Sequence, residues 1–223
     1  MPTDLHLALQ RHYAGEDGIL EARVGDYRVD VLRGGVAYEI QTGNFRALRE
    51  KLAALLAHTR VVLVYPLAET RLLVRLDPDT GAEVSTRRSP KHGRLTDLGW
   101  ELLYLTEALR DKRLSLEVVL TVERELRRAD GQGSWRRGGV SLVGRELLEI
   151  REVHRFAAPR DFARLLPAGL PDPFTVADLA AGDEFSPRLA GRLAYGLRGL
   201  GVLERVGKRG NAFLYQQILF PGR

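Results

Sequence analysis

The sequence predicts an α/β fold: a mixed sheet flanked by helices, extended by an α+β segment and closed by a small C-terminal domain of helices and a two-stranded appendage. Three observations predict it. The first 66 residues alternate between helical and strand periodicity in the order helix, three strands, helix, strand. Thr59–Tyr65 is an almost unbroken valine and leucine run, the pattern of a strand covered on both faces. Ala157–Pro173 gathers four of the ten prolines (Pro159, Pro167, Pro171, Pro173) ahead of a compact terminal pattern. The expected division is a core at 1–66, its extension at 67–156, a linker at 157–173 and a terminal domain at 174–223.

Each element has a local reason. Residues 3–13 form a helix, with Thr3 as its cap and Leu5, Leu9 and Tyr13 at helical spacing; Gly15 and Gly18 end it. Ile19–Val24 is a strand and Gly25-Asp26 a turn. Tyr27–Leu32 and Val36–Gln41 are a strand pair joined by Gly34-Gly35, a strong hairpin signal between β-branched runs. Phe45–His58 reads as one amphipathic helix capped by Asn44, burying Leu48, Leu52, Leu55 and Leu56. Residues 66–86 are a strand, a Pro78–Gly81 turn and a return strand. A basic loop follows at 87–94. Thr96 or Asp97 caps a helix to about Arg110, with Leu98, Leu102, Leu103, Leu105 and Leu109 buried. Ser115–Arg127 is a long strand, residues 130–139 a glycine-rich tip, and Val140–Val143 the return. In the tail, Thr175–Ala181 is a short helix, and Ser186-Pro187 opens a longer one that Gly201 stops. Val202–Val206 and Ala212–Ile218 are strands around a basic turn.

Composition narrows the function classes. At 223 residues and 44% hydrophobic the chain can bury a full core. No apolar run approaches the roughly 20 residues that span a bilayer, and no signal-peptide pattern opens the chain, so a soluble cytoplasmic protein without a membrane partner is expected. The absence of cysteine excludes disulfides and thiolate metal sites. The net charge of +5 leans towards a polyanionic partner. No Gly-x-Ser-x-Gly, Walker or zinc-ligand pattern is present.

Chemistry concentrates in the hairpin Tyr27–Gln41. Side chains alternate along a strand, so Glu39 and Gln41 share a face and Ile40 takes the other, while Asp30 comes from the neighbouring strand. A carboxylate and an amide on one face, with a second carboxylate beside them, can hold a divalent metal next to a phosphate.

Helix, strand, strand with Asp30, strand with Glu39-x-Gln41, helix, strand resembles the PD-(D/E)xK nuclease core, the restriction endonuclease-like fold. The likeness covers residues 3–66. It implies Asp30, Glu39 and Gln41 as catalytic residues, with Asp30 and Glu39 binding Mg²⁺ or Mn²⁺. Gln41 stands where most of the superfamily has lysine; Lys51, Arg46 and Arg49 on the next helix are candidates for the missing charge. Asp4 is the sole acid within 3–13 to match the acid many members carry on the first helix. His6 and His12, six apart, fall on opposite faces and are read as surface histidines.

The tail resembles a winged helix, which implies DNA contact through its second helix and wing. Arg188, Arg192 and Arg198 are the helix candidates, and Lys208, Arg209 and Asn211 sit at the wing tip. Trp135, Arg136 and Arg137, flanked by Arg127 and Arg128, suggest an arm that joins phosphate contact to base stacking. The expected function is a metal-dependent DNA endonuclease of repair, recombination or defence. The alternatives are a non-catalytic DNA-binding protein on a degenerate nuclease scaffold and a protein-interaction adaptor. Winged helices also serve as dimer modules, so a homodimer stands beside DNA among the expected partners.

Overall fold

A computed structural model describes residues 4–133, 135 and 138–220. Thr3, expected as the first cap, and Arg136 and Arg137, expected at the hairpin tip, lie outside these residues.

Helix α1, Asp4–Ala14, buries Leu5, Leu9 and Tyr13 and ends where Gly15 turns left-handed. Strands β1 (Ile19–Val24), β2 (Tyr27–Arg33) and β3 (Val36–Ile40) follow as an antiparallel meander. Gly34 and Gly35 both take positive φ, 56° and 72°, as a tight hairpin turn requires. The expected helix at 45–58 begins with a 3-10 turn, Phe45–Leu48, and only Arg49–His58 is α-helical, here α2. Asn44 adopts a left-handed backbone and makes no capping bond, so the entry is a sharp corner instead of a side-chain cap.

Strand β4 runs unbroken from Arg60 to Leu76, so the boundary expected at residue 66 falls inside a strand. Pro66 is tolerated there because β3 ends at its pair with Val64. Two residues on, the missing N–H points past the end of that neighbour, and no ladder bond is lost. Strand β5 (Glu83–Arg88) pairs back on β4. Strands β6 (Leu114–Ala129) and β7 (Val140–Phe156) form a long hairpin, with β6 parallel to β4. The described residues thus make a seven-stranded mixed sheet in the order β1-β2-β3-β4-β6-β7, with β5 alongside β4.

Between β5 and β6 the expected α-helix is a chain of 3-10 turns at Leu95–Trp100, Leu102–Tyr104 and Ala108–Arg110. Of the leucines expected to be buried, Leu98, Leu102, Leu105 and Leu109 are, while Leu103 is half-buried. Gly99 weakens an α-helix in its first turn and seats Leu189 and Leu193 of the tail, whose atoms lie 3.0 and 3.3 Å from where a Cβ would stand.

The tail carries α3 (Val176–Leu179), α4 (Pro187–Gly199), β8 (Leu203–Arg209) and β9 (Ala212–Gln217). Ser186 accepts the Leu189 amide at 3.3 Å, the cap expected at that position. Leu189, Leu193 and Leu197 of α4 share one hydrophobic cluster with α2, the 3-10 turns and one face of the sheet. The proline-rich stretch is itself pinned, with Phe162 stacked on Phe156 at 4.6 Å and both buried. The opposite sheet face is covered by α1, through Leu5, Leu9 and Tyr13 against Val31, Ile40, Val62 and Val64. Among the described residues no helix is long and apolar enough to cross a membrane.

Candidate functional site

The hairpin ladder stops short, and the site lies where it stops. β2 and β3 pair from Arg33↔Val36 to Val31↔Tyr38. β2 continues against β1 to Tyr27, and β3 continues against β4 to Ile40. The two strands therefore part at Asp30 and Glu39, which the register sets opposite each other. Side-chain bonds replace the ladder there: the Ile40 amide donates to Asp30 Oδ2 at 2.6 Å, and the Asp30 amide faces the Glu39 carboxylate. β1 is distorted at the same level, where Glu21 takes a positive φ of 50°, an uncommon conformation for a residue with a side chain.

Helix α1 supplies His6 and Gln10, four residues apart and so on one face. His6 Nε2 lies 2.9 Å from Asp30 Oδ1. Gln10, buried in the apolar stripe, donates to Asp30 Oδ1 at 3.1 Å and to Glu21 Oε1 at 2.6 Å. One ligand-type atom each of His6, Glu21 and Asp30 lies within 4.8 Å of the other two. From the other face, Lys51 on α2 donates to Glu39 Oε1. Glu39 is 5% exposed, and its Oε2 is buried with no hydrogen-bond partner among the described residues.

The electrostatics separate the two carboxyls. Burial pushes Glu39 up and the charge of Asp30 adds to this, against the pull of Lys51. Burial also opposes ionisation of Asp30, but His6, the Ile40 amide and Gln10 together hold it below the usual carboxylate range. The hydrogen bond to Asp30 raises His6 against its own burial. Two neighbouring acids with pKa values driven apart are a recurrent feature of catalytic sites.

The expected residues fare differently. Asp30 and Glu39 stand opposite each other on neighbouring strands, but Asp30 is held from α1 on one face of the sheet and Glu39 from α2 on the other. Gln41 turns into its own loop, where its amide donates to the Gly43 carbonyl. Lys51 is the cation at the site; Arg49 instead pairs with Glu107 at 2.8 Å. Asp4 lies towards Gly144 on β7, away from Asp30. His6, read as a surface residue, is a member of the site. Of the residues expected on DNA, Arg192 donates to the Trp100 carbonyl, and Arg209 pairs with Asp178 at 3.0 Å. Arg188, Arg198, Lys208 and Asn211 are exposed, as is Trp135 at 84%. A cavity of about 870 Å³ between α2 and the 3-10 turns is bordered by charges of both signs and includes none of the residues at the split.

The family described as "Domain of unknown function (DUF8091)" matches residues 3–157. The chain belongs to this family. The DUF8091 region runs from α1 to the end of β7, so it holds the whole strand split, and it stops where the sequence analysis ended the extension. A Treponema pallidum (strain Nichols) protein described as "Uncharacterized protein" is 31% identical over 217 residues, covering 96% of this chain and 85% of that one. That similarity therefore extends through the tail as well as the DUF8091 region. No solved structure matches the chain.

Proposed function

We propose that this DUF8091 chain is a metal-dependent DNA endonuclease of the PD-(D/E)xK type. One observation carries the reading: two strands part at opposed carboxylates, and the buried Glu39 carboxylate has Lys51 on one oxygen, the Asp30 amide facing it, and on Oε2 no hydrogen-bond partner among the described residues. A buried carboxylate oxygen without a donor costs free energy that a cation would recover. The atoms placed to hold such an ion are those of His6, Glu21 and Asp30, within 4.8 Å of one another. Asp30 would bind Mg²⁺ or Mn²⁺ there, and Glu39, outside that group, would turn its carboxylate to the ion from the neighbouring strand. When bound, the ion would polarise a phosphate ester and acidify a water.

The chain's own residues have separate tasks. Lys51 places a positive charge beside Glu39, where negative charge builds on the phosphate during attack; it takes the part that Gln41 cannot. His6 and Gln10 are positioning residues that fix the Asp30 carboxylate. The tail reads as a winged helix, with Phe174 bridged to Tyr215, two helices and the β8–β9 wing, and it would hold duplex through Arg188, Arg198, Lys208 and Asn211. The second reading, a DNA-binding protein on a degenerate nuclease scaffold, draws on Gln41 being turned into its loop.

The deciding experiment incubates the protein and its Glu39→Ala variant with supercoiled plasmid, single strands and branched DNA, in Mg²⁺ and in Mn²⁺. The endonuclease reading expects cleavage by the first and none by the second. Binding without cleavage in every metal and substrate leaves the second reading in its place.

A further inference from the structure

Strand β4 has β6 along one edge for its whole length, so β3 and β5 must share the other. β3 ends opposite Val64 and β5, running the other way, ends opposite Leu72, which leaves a gap in the sheet edge between them. The basic loop after β5 closes the outer side of that gap. The Ser89 amide donates to Arg71 O and the Gly93 amide to Ala68 O, both at 2.8 Å, and His92 Nδ1 lies 3.1 Å from Glu69 O. The approach is close enough to require glycine, since a Cβ at Gly93 would sit 2.7 Å from Ala68 O.

Inside the gap is an open cavity of about 500 Å³, reached by Thr42, Arg71, Lys91, His92, Glu123 and Arg145. Its walls include Leu5, next to His6, and Thr42, next to Gln41, so it adjoins the strand split. Glu123 is committed, accepting the Thr121 hydroxyl at 2.8 Å. Arg71 approaches Glu123 and Glu125 only at 3.5 Å, and Arg145 approaches Glu125 at 3.6 Å. Arg145 makes that approach through its Nε, and neither its Nε–H nor that of Arg71 closes a hydrogen bond among the described residues. An arginine carries five N–H donors in a planar fork that suits the oxygens of a phosphate. Lys91 adds a mobile point charge at the rim.

We propose that this cavity is a nucleotide-phosphate site, with Arg71 and Arg145 at its floor and Lys91 at its mouth. It rests on the endonuclease reading in one respect: the phosphate it holds belongs to the strand being cut, next to the scissile one.

Thymidine 5′-monophosphate, thymidine and inorganic phosphate are each titrated calorimetrically, in EDTA, into wild type, Asp30→Ala, Lys91→Ala and Lys91→Arg. The monophosphate should bind to wild type and to Asp30→Ala, and thymidine to neither. Lys91→Ala should weaken the monophosphate about tenfold, as loss of one charge-assisted bond does, and Lys91→Arg should keep most of the affinity. Inorganic phosphate should compete with the monophosphate. Equal binding of thymidine and its monophosphate, or affinity untouched by Lys91→Ala, overturns the assignment. If wild type cuts no DNA but binds the monophosphate in this pattern, the endonuclease reading falls and the phosphate site stands. Should it cut DNA but bind no monophosphate, the phosphate site falls alone.

Discussion

Two groups of carboxylates lie on this sheet, one buried and one only partly so, and they are compensated differently. On β6, Glu123 and Glu125 are 2% and 4% exposed and meet three arginines: Arg71 lies within 3.5 Å of both, and Arg127 and Arg145 reach Glu125 at 2.6 and 3.6 Å. At the strand split, Glu21, Asp30 and Glu39 meet one lysine, one histidine and, at 3.9 Å from Glu21, Arg28. The formal sums have opposite signs, three positive against two negative in the first group, and two positive against three negative in the second while His6 is neutral. Buried charge left uncompensated is expensive, so each group favours a ligand of the sign it lacks. The split is short of positive charge and suits a metal ion. The arginine-rich gap beside it suits a phosphate. A cation site adjoining an anion site is the arrangement that metal-assisted hydrolysis of a phosphate ester requires.

The comparison is broken most severely at the split. Asp30→Ala and Glu39→Ala should each reduce DNA cleavage to background and abolish the rise in melting temperature on adding Mg²⁺ or Mn²⁺, while DNA affinity persists. In wild type that rise should correspond to about 2.7 kcal/mol at a metal concentration of 100 times Kd. A metal-induced shift retained by both variants would place the ion elsewhere. Lys51→Ala should slow single-turnover cleavage by about 10²–10³-fold without removing the metal shift. Gln41→Lys should keep or raise activity under the endonuclease reading; on a degenerate scaffold it should do nothing.

Stability should respond in the opposite order. Glu125→Ala removes the buried partner of three half-buried arginines and should cost about 1–3 kcal/mol in urea unfolding. Glu39→Gln, in metal-free buffer, relieves repulsion from Asp30 and should cost far less or stabilise the protein. If the two variants lose equal stability, both carboxylates are ordinary structural pairs and the distinction between the groups disappears.

Much of this was legible along the chain. The Gly34-Gly35 hairpin, the strand order, and the placement of Asp30 and Glu39 on adjacent strands follow from alternation and turn chemistry, both local properties. Lys51 was among the candidates because α2 follows β3 directly. What stayed hidden is tertiary. His6 was weighed against His12, six residues away, although its partner on the helix surface is Gln10, four away. A glutamine beside the apolar stripe Leu5-Leu9-Tyr13 was the available signal. Glu21 gives no sign of itself, because its positive φ arises from the distortion of β1 opposite Asp30. The helix expected at 97–110 kept most of its apolar spacing but is bonded mainly as 3-10 turns, and Gly99 in its first turn packs against α4 some 90 residues on. Arg192 was indistinguishable in sequence from Arg188, yet it is tied to the Trp100 carbonyl.

That last difference gives the tail a sharper test. DNA binding by this chain should be steep in salt, with each phosphate neutralised contributing roughly −0.9 to the slope of log K against log salt. Arg188→Ala with Arg198→Ala should flatten the slope by about 1.8, the sum for two contacts. Arg192→Ala should leave the slope nearly unchanged and lower the melting temperature instead. A slope indifferent to the Arg188 and Arg198 pair would take α4 off the DNA.

The smallest expected effect distinguishes a positioning role for His6 from simple packing. In EDTA, Asp30 has its folded pKa held below the unfolded value. Its contribution to stability is therefore present above about pH 4 and is lost as pH falls through the folded value. His6 is raised, so its contribution is complete below about pH 6.5 and is lost as pH rises through the folded value. The windows overlap between about pH 4 and 6.5, where both partners are charged. Glu39 is a raised acid, and its contribution belongs to still lower pH, fading as it ionises. The stability difference between wild type and His6→Ala should therefore peak inside the overlap, at about 1–2 kcal/mol, and shrink towards pH 8. His6→Gln, which keeps a neutral donor, should lose the peak but retain part of the difference at pH 8. A difference that is flat from pH 4 to 8 would mean that His6 only fills space, with the orientation of Asp30 left to Gln10 and the Ile40 amide.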